Sequence, residues 1–129
     1  MGATQFLVST QDKRYHLFDE PGKKFLMKPD IVVKRRADDA VFIMDTKWKI
    51  LSDTKANYGI SQADMYQMYA YQKKYGAENV TLLYPQTDKI PSTADISFRA
   101  DDGVTVRACL VDLFDVQTSI SNIVQLYLL

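Results

Sequence analysis

Two aspartates and a lysine crowd the segment KPDIVVKRRADDAVFIMDTKWKI, residues 28–50. Asp30 follows Pro29, and Asp45 and Lys47 flank Thr46. Paired carboxylates with a nearby lysine suit metal-assisted phosphodiester hydrolysis. Mg²⁺ is a hard cation that binds through one or two carboxylates, carbonyl oxygens and retained waters. It polarises a phosphate and makes water more acidic. Asp30 and Asp45 would each give such a cation an oxygen, with Mn²⁺ as a substitute ion and the Thr46 backbone carbonyl as a third ligand. Lys47 would orient the attacking water and offset charge building on the phosphate.

This chemistry requires the three side chains to converge. Ile31 to Lys34 and Val41 to Met44 are β-branched, apolar runs of strand length. The intervening residues 36–40 are polar and turn-like. A tight turn centred on Asp38 and Asp39 would pair Ala37 with Ala40, Lys34 with Ile43, Val32 with Asp45 and Asp30 with Lys47. Opposed residues share a sheet face, as do residues two apart, so Asp30, Asp45 and Lys47 fall on one face. A two-residue or a four-residue loop preserves this; a one-residue slip destroys it. The ordinary alternative for Asp-x-Lys is a solvated sheet edge, where such pairs contribute about a few tenths of a kcal/mol. Here Phe42-Ile43-Met44 runs straight into Asp45, and Trp48 follows Lys47. The strand reads as buried, where charges are costly unless paired or bound to metal.

A helix should follow. In SQADMYQMYAYQKKYG, Ser61 and Asp64 approximate a capping box, and Gly76 is a natural stop. Gln62, Tyr66 and Tyr69 share one face, and Met65, Met68 and Gln72 form an adjoining stripe. The plain role of such a helix is to pack its Met and Tyr residues on the sheet. Gln62 and Tyr66, one turn apart, could also reach a nucleic acid phosphate.

Pro29-Asp30, Asp45-Thr46-Lys47 and Gln62-x-x-x-Tyr66, in this order, resemble the PD-(D/E)xK nuclease superfamily, in the branch with a QxxxY motif. More narrowly, LMKPDIVV, FIMDTKWKIL, GISQADMYQMYAYQKKYG and VTLLYP resemble the C-terminal nuclease region of the cleavage subunits of McrBC-type 5-methylcytosine restriction systems. The resemblance covers roughly residues 25–85. It implies an α/β (mixed α+β) fold with a restriction-endonuclease-like core, a mixed central sheet flanked by helices. It implies that residues 1–129 form a single nuclease domain, either excised from a longer subunit or naturally short. It also implies Mg²⁺-dependent endonuclease action on double-stranded DNA, with Asp30 and Asp45 as metal ligands and Lys47, Gln62 and Tyr66 as further catalytic residues. The implied partner is an AAA+ GTPase motor subunit. Many superfamily members carry an acidic residue on a helix before the first motif; here only Asp12, Asp19 and Glu20 precede it, in segments that read as strand or turn. Two other readings stay open. One is a nuclease-fold module, inactive alone, that docks on the motor. The other is a QxxxY DNA-processing nuclease of the RecB kind, although a single cysteine excludes a four-thiolate cluster within the chain.

Composition sets the bounds. A chain of 129 residues, 47% hydrophobic and 25% charged, is one globular domain of ordinary make-up. No apolar run reaches membrane-span length and no secretory signal is evident, so a cytoplasmic setting with no membrane partner is expected. Cys109 sits in an apolar run and should be buried and inert; His16 reads as structural. Net charge is zero, which argues against indiscriminate DNA binding. Yet residues 1–75 hold 13 Lys+Arg against 9 Asp+Glu, and residues 76–129 hold 3 against 7, so the basic half carries the motifs. Strands are further expected at residues 6–9, 15–18 and 80–84. A loop is expected at 86–93, a hairpin from 96–98 to 104–111, and a helix from Asp115.

Overall fold

The computed structural model describes residues 5–91 and 94–128. Strands β1 (Phe6–Thr10), β4 (Ile31–Arg35), β5 (Val41–Thr46), β6 (Asn79–Pro85), β8 (Thr105–Val111) and β7 (Ile96–Arg99) form, in that spatial order, one six-stranded sheet. β1, β4 and β5 are antiparallel, β5, β6 and β8 are parallel, and β7 returns antiparallel to β8. The sheet is therefore mixed, as expected. A separate hairpin, β2 (His16–Phe18) with β3 (Lys24–Leu26), lies between β1 and β4 in sequence. The loop expected at 86–93 is described as far as Pro91; Ser92 and Thr93 lie outside the described residues.

Helix α1 (Gln62–Tyr75) is the crossover between parallel strands β5 and β6. Ser61 Oγ caps it by accepting the Asp64 N–H at 3.0 Å. Gly76 ends it in the left-handed conformation at φ 60°, which a glycine adopts without penalty. Helix α2 (Val116–Ile123) starts at Asp115, as the sequence predicts, and continues as a π-type turn over Val124–Leu128.

The central strands are buried on both faces, with side chains alternating between two apolar layers. Val32, Ile43, Val80, Leu82, Tyr84 and Val106 pack under Met68, Tyr71 and Tyr75 of α1. Val33, Phe42, Met44, Leu83 and Val111 pack with Ile123, Val124 and Leu128 on the other side. Burying one such side chain contributes roughly 1.5–3 kcal/mol.

The β4–β5 hairpin corrects the predicted register. Lys34 opposes Val41, Val32 opposes Ile43 and Ile31 opposes Met44. The loop holds four residues, because Arg35 N–H donates to Ala40 O and Asp39 N–H to Arg35 O. Asp38 fixes it by pairing with the Arg35 guanidinium at 2.7 and 2.9 Å and accepting the Ala40 N–H. The Arg35 hydrogen bond holds the Asp38 carboxyl down to about 2. Asp39 takes the left-handed conformation at φ 60°, which aspartate tolerates. The shift from the predicted pairing is two residues, so every side chain keeps its face. It moves Asp30 from a place opposite Lys47 to one beside Asp45.

Candidate active site

Asp30 and Asp45 meet where β4 begins and β5 ends, on the α1 side of the sheet. Asp30 N–H donates to Asp45 Oδ1 at 2.9 Å. In return, Asp30 Oδ2 accepts the Thr46 N–H at 2.9 Å and the Thr46 hydroxyl at 2.7 Å. Asp30 Oδ1 accepts Gln11 Nε2 at 2.9 Å. Asp45 is 5% exposed, so the buried strand does end in a buried carboxylate. Trp48 departs from the expectation: β5 ends at Thr46 and the indole is 81% exposed.

The two carboxyls are driven apart. Burial raises the Asp45 carboxyl above its usual range against the opposing hydrogen bond from Lys47. Burial acts the same way on Asp30, but the Thr46 hydroxyl and N–H and the Gln11 amide outweigh it and hold that carboxyl below its usual range. Lys47 Nζ bonds to Asp45 Oδ2 at 2.8 Å, approaches Asp64 Oδ1 at 3.4 Å and donates to Gln67 Oε1 at 3.0 Å. Burial works against its charge, but Asp45 and Asp64 more than compensate and its pKa is raised. Lys47 is therefore a fixed ammonium donor.

The structure brings Asp30, Asp45, Thr46 and Lys47 together. Gln62 and Tyr66 are placed elsewhere. Gln62 Nε2 donates to Tyr66 Oη at 2.6 Å on an exposed part of α1. These residues line grooves that also include Met65 and Phe98. The Gln-x-x-x-Tyr spacing recurs five residues later, at Gln67 and Tyr71. Five residues turn a helix through about 500°, which sets the second copy about 140° from the first. That second copy faces the carboxylates. Gln67 holds Lys47, and Tyr71 is buried. Burial, then the negative charges of Asp45 and Asp30, push the Tyr71 phenol up to about 12.

The sequence reading missed Gln11, Asp64, Gln67 and Tyr71. The repeated spacing could have flagged Gln67 and Tyr71. Asp64 reads as a helix-start residue, and its backbone does serve Ser61, but its carboxylate turns to Lys47. Of the upstream acids, Asp12 accepts from Arg14 and from the Tyr75 hydroxyl at 2.7 Å, and Asp19 approaches Lys74 at 3.4 Å. Asp12 therefore ties the connection between β1 and β2 to α1. Cys109 is half-buried, and burial pushes its thiol up to about 11, in keeping with an inert side chain.

The donor set fits a hard cation. Among the described residues no group of three or more His, Cys, Asp or Glu is placed to hold a metal ion. Two carboxylates fit an ion that keeps several waters. A strand residue's N–H and C=O leave the same edge, so the Thr46 carbonyl leaves on the side where its N–H meets Asp30.

Comparisons with known proteins bear on the fold and the family. No curated protein matches the chain. A chain in the half-complex from the tetradecameric assembly of Thermococcus gammatolerans McrB AAA+ hexamers with bound McrC shares the fold. The TM-score is 0.65 at 18% identity, over 92% of this chain and 29% of that one. This chain thus spans under a third of that relative's length. Among the described residues, no helix is long and apolar enough to cross a membrane. The family model described as McrBC 5-methylcytosine restriction system component matches residues 2–85, and the chain belongs to that family.

Proposed function

We propose that this chain is the Mg²⁺-dependent nuclease domain of a McrBC-type restriction system, cutting double-stranded DNA in the cytoplasm. The observation that carries the proposal is the convergence of Asp30, Asp45 and Lys47, with Asp45 Oδ1 on the Asp30 N–H at 2.9 Å and Lys47 Nζ on Asp45 Oδ2 at 2.8 Å. Asp30, Asp45 and the Thr46 carbonyl would hold the cation. When bound, it supplies a Lewis acid for the phosphate and more acidic water. Lys47, kept protonated by Asp45 and Asp64, gives the phosphate a fixed positive charge. Gln67 and Asp64 set its direction.

Two features support a partner subunit. The net charge is zero, which gives weak electrostatic attraction to DNA. The similar Thermococcus gammatolerans chain comes from an assembly of McrB AAA+ hexamers with bound McrC. We therefore place DNA recognition on an AAA+ GTPase partner and expect the isolated chain to cut slowly and without preference for methylation. The test is cleavage of supercoiled plasmid in Mg²⁺ and in chelator, with and without the cognate motor, beside Asp45→Ala. The proposal expects Mg²⁺-dependent nicking that the motor accelerates and Asp45→Ala abolishes. Cleavage that survives chelation or Asp45→Ala would overturn it.

A further inference from the structure

Gln11 touches the candidate site, yet nothing in the family motifs covers it. The antiparallel pairing of β1 with β4 ends at Thr10 opposite Ile31, and Gln11 is the next residue, opposite Asp30. It clamps Asp30 at both ends. Its backbone N–H donates to Asp30 O at 3.0 Å, and its side-chain Nε2 donates to Asp30 Oδ1 at 2.9 Å. A carboxylate has no proton to give, so the amide must present its NH₂ end there. Gln11 is also held at φ 51°, a backbone region that glutamine rarely occupies. That turn sends the chain on to Asp12, whose carboxylate reaches Tyr75, and leaves the Gln11 side chain on Asp30.

The division of labour on Asp30 gives this contact its meaning. Among the described residues, Oδ2 carries both hydrogen bonds from Thr46, whereas Oδ1 carries the one from Gln11. Oδ1 is therefore the oxygen left to take a cation. We propose that Gln11 is a positioning residue of the site, whose Nε2 donor fixes the Asp30 carboxylate so that Oδ1 can ligate the metal. The inference rests on the reading of Asp30 as a metal ligand. Residues that orient a ligand in this way typically alter metal affinity about 10- to 100-fold when removed.

The test uses Mn²⁺ as the probe, with the free ion counted by electron paramagnetic resonance, and melting in chelator as the control for folding. Gln11→Met keeps the length and removes the donor. Gln11→Asn keeps a donor with shorter reach and suits the left-handed backbone better. The expected result is about a 10- to 100-fold loss of Mn²⁺ affinity in Gln11→Met, with metal-free melting close to wild type and Gln11→Asn in between. Full affinity in Gln11→Met, or a Gln11→Asn protein no better than Gln11→Met, would overturn the inference. If Asp45→Ala lost the ion while Gln11→Met kept it, only this inference would fall. A wild-type chain that bound no Mn²⁺ would remove both it and the function proposed above.

Discussion

Lys47 Nζ lies 3.0 Å from Oε1 of Gln67, a bond that ties the end of β5 to α1 across the candidate site. With the Asp45 contact at 2.8 Å and Asp64 at 3.4 Å, the ammonium has a carbonyl and two carboxylates around it. Its charge is fixed in place before any phosphate arrives. Such preorganised donors act most strongly on charge that develops in the transition state.

Removing that ammonium should slow chemistry more than it weakens metal binding. Lys47→Ala is expected to lower single-turnover cleavage by about 10²- to 10³-fold. Mn²⁺ affinity should hold or rise, because the ammonium on Asp45 Oδ2 competes with an incoming cation. Calorimetry beside single-turnover kinetics separates the two effects; lost affinity with intact turnover would contradict the role.

The two Gln-x-x-x-Tyr copies should differ in effect. Gln67→Ala removes one of the partners that direct Lys47, whereas Gln62→Ala breaks an exposed bond to Tyr66. The expected outcome is a clear fall in the single-turnover rate for Gln67→Ala, by roughly 10-fold or more for a lost catalytic orientation. Gln62→Ala should cost less. The reverse order would return the motif to its first copy.

How much was legible follows from these residues. The face shared by Asp30, Asp45 and Lys47 was readable because strand parity has a period of two, and it survived a two-residue error in register. The register itself was not, since it depends on Arg35 chelating Asp38 and on the left-handed Asp39. The helix limits were readable from Ser61 and Gly76. Which Gln-x-x-x-Tyr copy faces the sheet was not, because the tyrosines along α1 leave both sides similarly amphipathic. Tyr71 is buried, whereas Tyr66 is 65% exposed and Tyr69 turns outward to Asp102. Gln11 had no local signal, because its partner lies 19 residues away. Strand β3 was also missed; its central Phe25 is 72% exposed at φ 58°, unlike a typical strand residue.

The raised Asp45 pKa predicts a stability trade. The folded chain holds this proton more firmly than the unfolded chain does. The charged carboxylate therefore costs stability as pH rises from its usual value of 3.8 through its raised folded value. Asp45→Asn removes that cost and keeps an Oδ1 acceptor for the Asp30 N–H. In chelator it should melt at or above wild type at neutral pH, and the gap should close as pH falls toward 3.8. A gap that widened on acidification would contradict the sign. Divalent-dependent cleavage should be lost in the same variant.

Gly76→Ala tests the helix stop. A Cβ there would meet nothing within 4 Å, so the cost is conformational alone. About 1–2 kcal/mol of destabilisation is expected at φ 60°, read from urea midpoints at unchanged slope. No change would show that α1 ends differently.

The central claim is that Asp30 and Asp45 form a cation site. Anomalous diffraction from crystals soaked in Mn²⁺ tests it most directly. The account predicts one peak within coordination distance of Asp30 Oδ1 and a carboxylate oxygen of Asp45, at about 2.0–2.2 Å for a small hard ion. A peak elsewhere, with Lys47 still on Asp45 Oδ2 and Gln11 still alone on Asp30 Oδ1, would contradict it.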